Sequence, residues 1–168
     1  MKSGAEIQVV GVGNDYMGDD GVGIHVVDEL RRAEPAHLDL LDCGTDLLRI
    51  ASQHRPCQSI IIVDAIRVGE RPGSIHWFAP DDVQNASVNQ SVHQLSIIEN
   101  LKLLPLMNAY FSQSLFHIVG IEPGNLHFGQ ELSAEVQTSA DRLVDMLACE
   151  TGARRVLAKC RRHSASAA

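Results

Sequence analysis

Apolar residues recur along this chain in two rhythms, one of period two and one of period three to four. Short apolar runs at Ile7–Val10, His37–Asp42, Ser59–Ala65 and Leu115–Ile121 predict strands, the nearly unbroken ones buried on both faces. Ser59–Ala65 is the most hydrophobic. Its four successive β-branched residues, Ile60 to Val63, predict a central strand, and it ends on Asp64-Ala65. Ser74–Phe78 alternates at Ile75 and Trp77 after the turn Gly69–Gly73. So short a connection cannot make a parallel crossover, so this piece is expected as an antiparallel edge strand.

Helical spacing appears at Val22, Val26 and Leu30, with Asp28, Glu29, Arg31 and Arg32 at the exposed positions. A short helix is expected over Asp46–Ser52, with Leu47, Leu48 and Ala51 inward and a break at Arg55-Pro56. A polar loop then spans Ala79–Val92. A helix opens at His93, runs through Leu95, Ile98, Leu101 and Lys102, and is ended or kinked by Pro105. Ser133 caps a last helix with Val136, Ala140, Leu143, Val144 and Leu147 as its core stripe. Strands alternating with helices predict a three-layer α/β/α sandwich, its sheet of about five strands mostly parallel with one antiparallel edge. No repeat or linker divides it. The expected domain covers residues 1–151, and 152–168 read as a flexible basic tail.

Composition narrows the function. The chain has 168 residues, 45% of them hydrophobic, enough for one domain with a core. No apolar run approaches the roughly 20 residues of a membrane span, and the first residues lack an apolar secretory segment, so the expected compartment is the cytoplasm. Net charge is −7, with Arg154, Arg155, Lys159, Arg161 and Arg162 crowded near the end. Setting those five aside leaves 9 basic against 21 acidic residues, or −12, a poor footprint for nucleic acid. Cys43, Cys57, Cys149 and Cys160 form no C-x-x-C pair and read as free, mostly buried thiols.

The stretch Gly11-Val12-Gly13-Asn14-Asp15-Tyr16-Met17-Gly18-Asp19-Asp20-Gly21-Val22-Gly23 links the first strand to the first helix. It is not a dinucleotide loop, because Tyr16 stands where the third glycine is needed, and no Gly-Lys-Ser/Thr makes it a phosphate loop. Two adjacent aspartates would repel a pyrophosphate. They suit a cation or a shared proton, unless one of them simply caps the helix.

In such a sheet, ligands bind beyond the carboxyl ends of the parallel strands. Three segments bring an ionisable group there: Asp20 after the first strand, Asp64 at the tip of the most hydrophobic one, and His93 at a helix start. An aspartate after four aliphatic residues is a costly place for charge unless it is paired or bound. Two carboxylates and an imidazole suit a borderline divalent metal with open positions. Histidines 25, 54, 76, 117 and 163 read as ordinary helix, strand or tail residues. No G-x-S-x-G or H-E-x-x-H occurs. The residues by themselves leave metal-assisted hydrolysis, carboxylate-assisted hydrolysis and plain metal binding open.

Taken in order, Gly11-x-Gly13-Asn14, Asp19-Asp20-Gly21-x-Gly23, Asp42-x-Gly44-Thr45, Asp64-Ala65, His93-Gln94-Leu95 and Gly120-x-x-Pro123 resemble the hydrogenase maturation endopeptidases across about residues 6–150. Asp20 stands where some members carry Glu, and Val92 where some carry Pro. The resemblance implies a peptidase that removes a C-terminal peptide from the precursor of a nickel–iron hydrogenase large subunit after nickel insertion. It implies Asp20, Asp64 and His93 as both catalytic residues and metal ligands, with the nickel brought by the substrate rather than held by the free enzyme. A monomer acting without nucleic acid or membrane is expected. The family's classification as aspartic-type keeps a purely carboxylate mechanism open beside a metal-assisted one. Two other classes stay in view: a non-catalytic nickel-sensing chaperone and a small-molecule amide hydrolase.

Overall fold

The computed structural model describes residues 6–52, 57–85 and 92–165, with side chains except at 84–85, 92–96 and 162–165. Five strands, β1 (Ile7–Gly11), β2 (Leu38–Asp42), β3 (Ser59–Ala65), β4 (Ile75–Phe78) and β5 (Leu115–Ile121), form one sheet in the order β2-β1-β3-β5-β4. All neighbours are parallel except β4, which pairs antiparallel with β5 at the edge, Ile75 opposite Ile121. The expected antiparallel edge strand is therefore present. Its partner is the strand that follows it in the chain, not the one before.

Period-two alternation sends side chains to two cores. On one face, Val9, Ile61, Val63, Val119 and Ile121 pack under α1 (Val22–Ala33), α4 (Ala134–Ala148) and α5 (Glu150–Ala165). On the other, Val10, Ile60, Ile62 and Ile118 meet Leu47, Ile50, Ile97, Leu101 and Leu104 from a 3-10 helix over Leu47–Ser52 and from α3 (Val92–Met107). The three-layer α/β/α architecture follows, the sheet covered on both sides. Pro105 lies inside α3, which ends two residues later. His54 and the break expected at Arg55-Pro56 lie outside the described residues.

Two expectations need correction. Part of the polar loop is helical: Pro80–Asn85 forms α2, while residues 86–91 lie outside the described ones. Its start is specified locally, with Pro80 in the first turn and the Ala79 amide donating to Asp82 Oδ2 at 2.8 Å, half of a capping box.

The segment expected as a flexible tail is helix α5, packed on the core. Ala153, Val156, Leu157 and Cys160 are buried at i, i+3, i+4 and i+7, which outweighs the basic composition between them. Burying Val156 and Leu157 is worth roughly 1.5–3 kcal/mol each. Arg154, Arg155, Lys159 and Arg161 stay at the surface, where Arg154 reaches Glu6 and Glu150 at 3.1 Å and Lys159 Nζ sits 4.6 Å from the Trp77 ring centre. All four cysteines are free thiols, and only Cys149 is exposed.

His117 on β5 is almost fully buried, and its Nε2 has no hydrogen-bond partner among the described residues. Burial, and secondly the Arg161 guanidinium, hold its pKa down from 6.5 to about 4. The unfolded chain therefore takes up a proton that the folded one refuses. Stability should fall as pH drops from about 6.5 toward 4, by at most about 3 kcal/mol from this group. Urea denaturation across that range should show the loss in the wild type and a flatter acid limb in His117→Leu. Equal acid limbs would assign the loss to other groups.

Candidate active site

The sheet order reverses between β1 and β3: β1 leads through α1 to β2 on one side, while β3 and β5 lie on the other. The crevice beyond those strand ends is where open α/β sheets bind ligands. Pairing of β1 with β3 stops at Gly11 and Val63, whereas pairing of β3 with β5 continues through Asp64–Gly120 and Ala65–Ile121. Beyond Gly11 the chain leaves the sheet, and one flank of Asp64 meets a loop instead of a strand.

That loop is tied down on both sides. The Val12 amide donates to Val63 O at 3.0 Å and the Gly13 amide to Gly44 O at 2.8 Å. The turn supplying Gly44 is itself closed by the Gly44 amide bonding Asp42 Oδ1 at 2.7 Å. Gly13 has φ +137°, and a Cβ there would stand 1.9 Å from Asp20 O, so no other residue fits. A Cβ on Gly23 would meet Val63 O at 2.2 Å, and its absence lets the start of α1 press against β3.

The loop thereby lies against Asp64. Asp64 is completely buried, and alternation places it on the sheet face of Ile60 and Ile62, the face α3 covers. Its Oδ1 accepts the Ala65 amide at 2.8 Å, but Oδ2 has no hydrogen-bond partner among the described residues. Burial, and then the charge of nearby Asp20, hold its pKa well above the ordinary carboxylate value. Asp20 is 7% exposed, and its Oδ2 accepts the Asn14 amide at 3.0 Å. Two buried carboxyls this close suit a shared proton or a bound cation, not two free charges.

His93 is the second residue of α3, and its side chain is outside the described ones. Among the described residues, no three His, Cys, Asp or Glu side chains converge on one point as a ready metal site. What the described geometry brings together is Asp20 and Asp64.

Asp19 plays neither of the parts considered for it from the sequence. Gly21 is the N-cap of α1 and no side chain caps that helix. Instead Asp19 is fully buried and bonds the loop after β5. Its Oδ2 accepts from the Gly124 amide at 2.8 Å, the Asn125 amide at 2.7 Å and Ser133 Oγ at 2.9 Å, and its Oδ1 from the Ser133 amide at 2.6 Å. Ser133 holds the N-cap position of α4 as expected, but its hydroxyl serves Asp19 and not the helix. Glu122, at the end of β5, is a second buried acid that the sequence reading passed over. Its Oε2 accepts the Val68 amide at 2.8 Å and its Oε1 the Gly69 amide at 3.3 Å, holding the turn that follows β3. An acid directly after an apolar strand was the available signal, the same one that marked Asp64.

The family model for hydrogenase maturation proteases, HycI, matches residues 24–150. The chain belongs to the hydrogenase maturation protease family. The matched span contains Asp64 and His93 and begins just after Asp20. Protein FrxA of Pyrococcus furiosus is 32% identical over 133 residues, covering 78% of this chain and 94% of that protein. The hydrogenase expression/formation protein HupD of Thiocapsa roseopersicina is 28% identical over 151 residues, 87% of this chain and 67% of that one. Among solved structures, the [NiFe] hydrogenase maturation protease HybD of Thermococcus kodakarensis superposes with a TM-score of 0.74 at 27% identity, over 84% of this chain and 95% of that one. The α/β/α fold of this family member is thus the fold of HybD.

The buried charge has a consequence for stability. Above the ordinary value of 3.8 the unfolded chain ionises at Asp64 while the folded protein resists, so stability is lost as pH rises through that window. Asp64→Asn keeps an oxygen for the Ala65 amide and removes the ionisation. Metal-free Asp64→Asn should melt above the wild type at pH 7–8, about 1 kcal/mol corresponding to about 2–4 °C. The gain should vanish below pH 3.8. A lower melting temperature at pH 7–8 would contradict the burial argument.

Proposed function

We propose that this protein is the endopeptidase that removes the C-terminal peptide from a nickel–iron hydrogenase large-subunit precursor once nickel has been inserted. Asp20, Asp64 and His93 are the residues that meet the nickel the precursor carries. The observation that carries this reading is Asp64 Oδ2, without a hydrogen-bond partner among the described residues and fully buried at the tip of β3 beside Asp20, in a chain of the maturation protease family. An acceptor left without a donor there is a position for a cation to complete.

The donor set favours a metal supplied by the substrate. Two carboxylates and an imidazole from three separate segments, with no thiolate, make a hard and open set that holds metal weakly by itself. A nickel already fixed in the precursor gains these groups as additional ligands. That contact places the scissile bond, and the metal can polarise its carbonyl or activate a water. In the alternative aspartic-type route one carboxylate is the base. The raised pKa of Asp64 beside Asp20 suits proton exchange in either case. The proposed setting is the cytoplasm, with the enzyme a monomer.

Because the contact exists only in the loaded precursor, loading becomes the specificity switch. Incubated with the enzyme and followed by mass spectrometry, nickel-loaded precursor should lose its C-terminal peptide. Nickel-free precursor, Asp64→Asn and His93→Ala should each process at least ~100-fold more slowly, since each removes interactions of the size that catalytic groups supply. Equal cleavage of loaded and empty precursor would refute the switch. Binding of the precursor without any mass change would favour a chaperone.

A further inference from the structure

Asp19 is left without a task in the reaction proposed above, although it is fully buried and accepts four hydrogen bonds from a segment more than a hundred residues away in the chain. It precedes Asp20 in the 3-10 turn Gly18–Gly21. Neither that turn nor α1 behind it has a side-chain cap. The two aspartates are used in opposite directions. Asp19 bonds Gly124, Asn125 and Ser133, while Asp20 bonds the Asn14 amide and lies near Asp64. The backbone adds to the clamp, the Asp19 amide donating to Asn125 O at 2.7 Å and the Gly129 amide to Tyr16 O at 2.8 Å.

We propose that Asp19 is a positioning residue: by clamping the loop after β5 onto the loop after β1, it fixes the direction of the Asp20 carboxylate. The inference rests on the role given to Asp20 above, and it extends the functional unit to Gly124–Ser133. The chemistry of the clamp makes it sensitive to a single atom. Asp19 Oδ2 faces three donors and Oδ1 one. An asparagine in either orientation turns an NH2 against at least one N–H, leaving buried donors unpaired. The turn would then lose its anchor at one end, and the Asp20 carboxylate would no longer be held in line with the Asn14 amide at the other.

The Asn14 amide reports the position of Asp20 without any need for substrate, because its hydrogen-bond acceptor is Asp20 Oδ2. In Asp19→Asn, hydrogen–deuterium exchange at Asn14 should accelerate at least tenfold while the amides of β3 keep their wild-type protection. On nickel-loaded precursor, kcat should fall at least tenfold with KM within twofold of wild type. Unchanged exchange at Asn14, exchange that rises in step with β3, or an unchanged kcat would overturn the proposal. If Asp19→Asn does not fold, Ser133→Ala carries the test, since it removes the hydroxyl donor alone. It should give a smaller acceleration confined to the same loop, and no acceleration would overturn the proposal. Failure of the wild type to process the precursor would count against the proposed function instead, and the exchange at Asn14 would still decide whether Asp19 positions Asp20.

Discussion

A carboxyl group buried at the end of the most hydrophobic strand is the constraint that shapes this molecule. Asp64 follows Ile60 to Val63 and is itself completely excluded from solvent. Such a group destabilises the fold unless the surroundings hold it rigidly and something completes it. The rigidity comes from β5, which stays paired alongside Asp64 and Ala65 after β1 has left the sheet. The same departure of β1 opens the flank on which the glycine-rich loop brings up Asp20. The crevice at the switch point is therefore the result of one feature, a strand that runs two residues past its neighbour.

Four buried acids lie at this end of the sheet, and the contrast among Asp19, Glu122 and Asp64 separates structure from chemistry. Asp19 is satisfied by four donors and Glu122 by two backbone amides, so each works as a clamp between segments. Among the described residues, Asp64 receives one hydrogen bond and keeps one oxygen without a partner beside another carboxyl. A fully satisfied carboxylate has spent its acceptor capacity on the fold, whereas a partly satisfied one keeps it for a proton or a metal. Burial alone would not have told them apart, since Asp19 and Asp64 are equally inaccessible.

Much of this was legible in the sequence, because β-branched runs and glycine-rich turns act locally. Ser59–Ala65 and Leu115–Ile121 are strands over the residues their patterns mark, and the antiparallel edge at Ile75–Phe78 follows from a short connection. Asp64 stood out because an acid after four aliphatic residues has few explanations. The failures came where composition hid a period or where the partner was distant. Five cations between Gly152 and the chain end masked the stripe Ala153, Val156, Leu157 and Cys160 that seats α5. The part taken by Asp19 depends on Ser133, 114 positions away, and no local pattern encodes that pairing. Adjacent Asp19 and Asp20 look alike in sequence, and only the fold shows that consecutive side chains in one turn serve two different loops.

Under the proposed function, the division of labour between those neighbours bears on how a site with weak metal affinity discriminates between loaded and empty precursor. An open set of hard ligands gains selectivity through geometry, because a substrate metal held at a fixed point rewards only ligands already aimed at it. Loop-borne ligands are poorly suited to this unless the loop is immobilised. Here the loop after β1 is bonded to β3 through Val12, to the turn after β2 through Gly13, and to the loop after β5 through Asp19. Each of the motif pieces that seemed unrelated in the linear order, Asp42-x-Gly44, the glycines of the first loop and Gly120-x-x-Pro123-Gly124, lies at one of these attachments or beside it. The strand end supplies one carboxyl on a rigid element, and three attachments make the second nearly as rigid. A surface that binds little by itself can in this way be complementary to one state of a substrate and indifferent to the other.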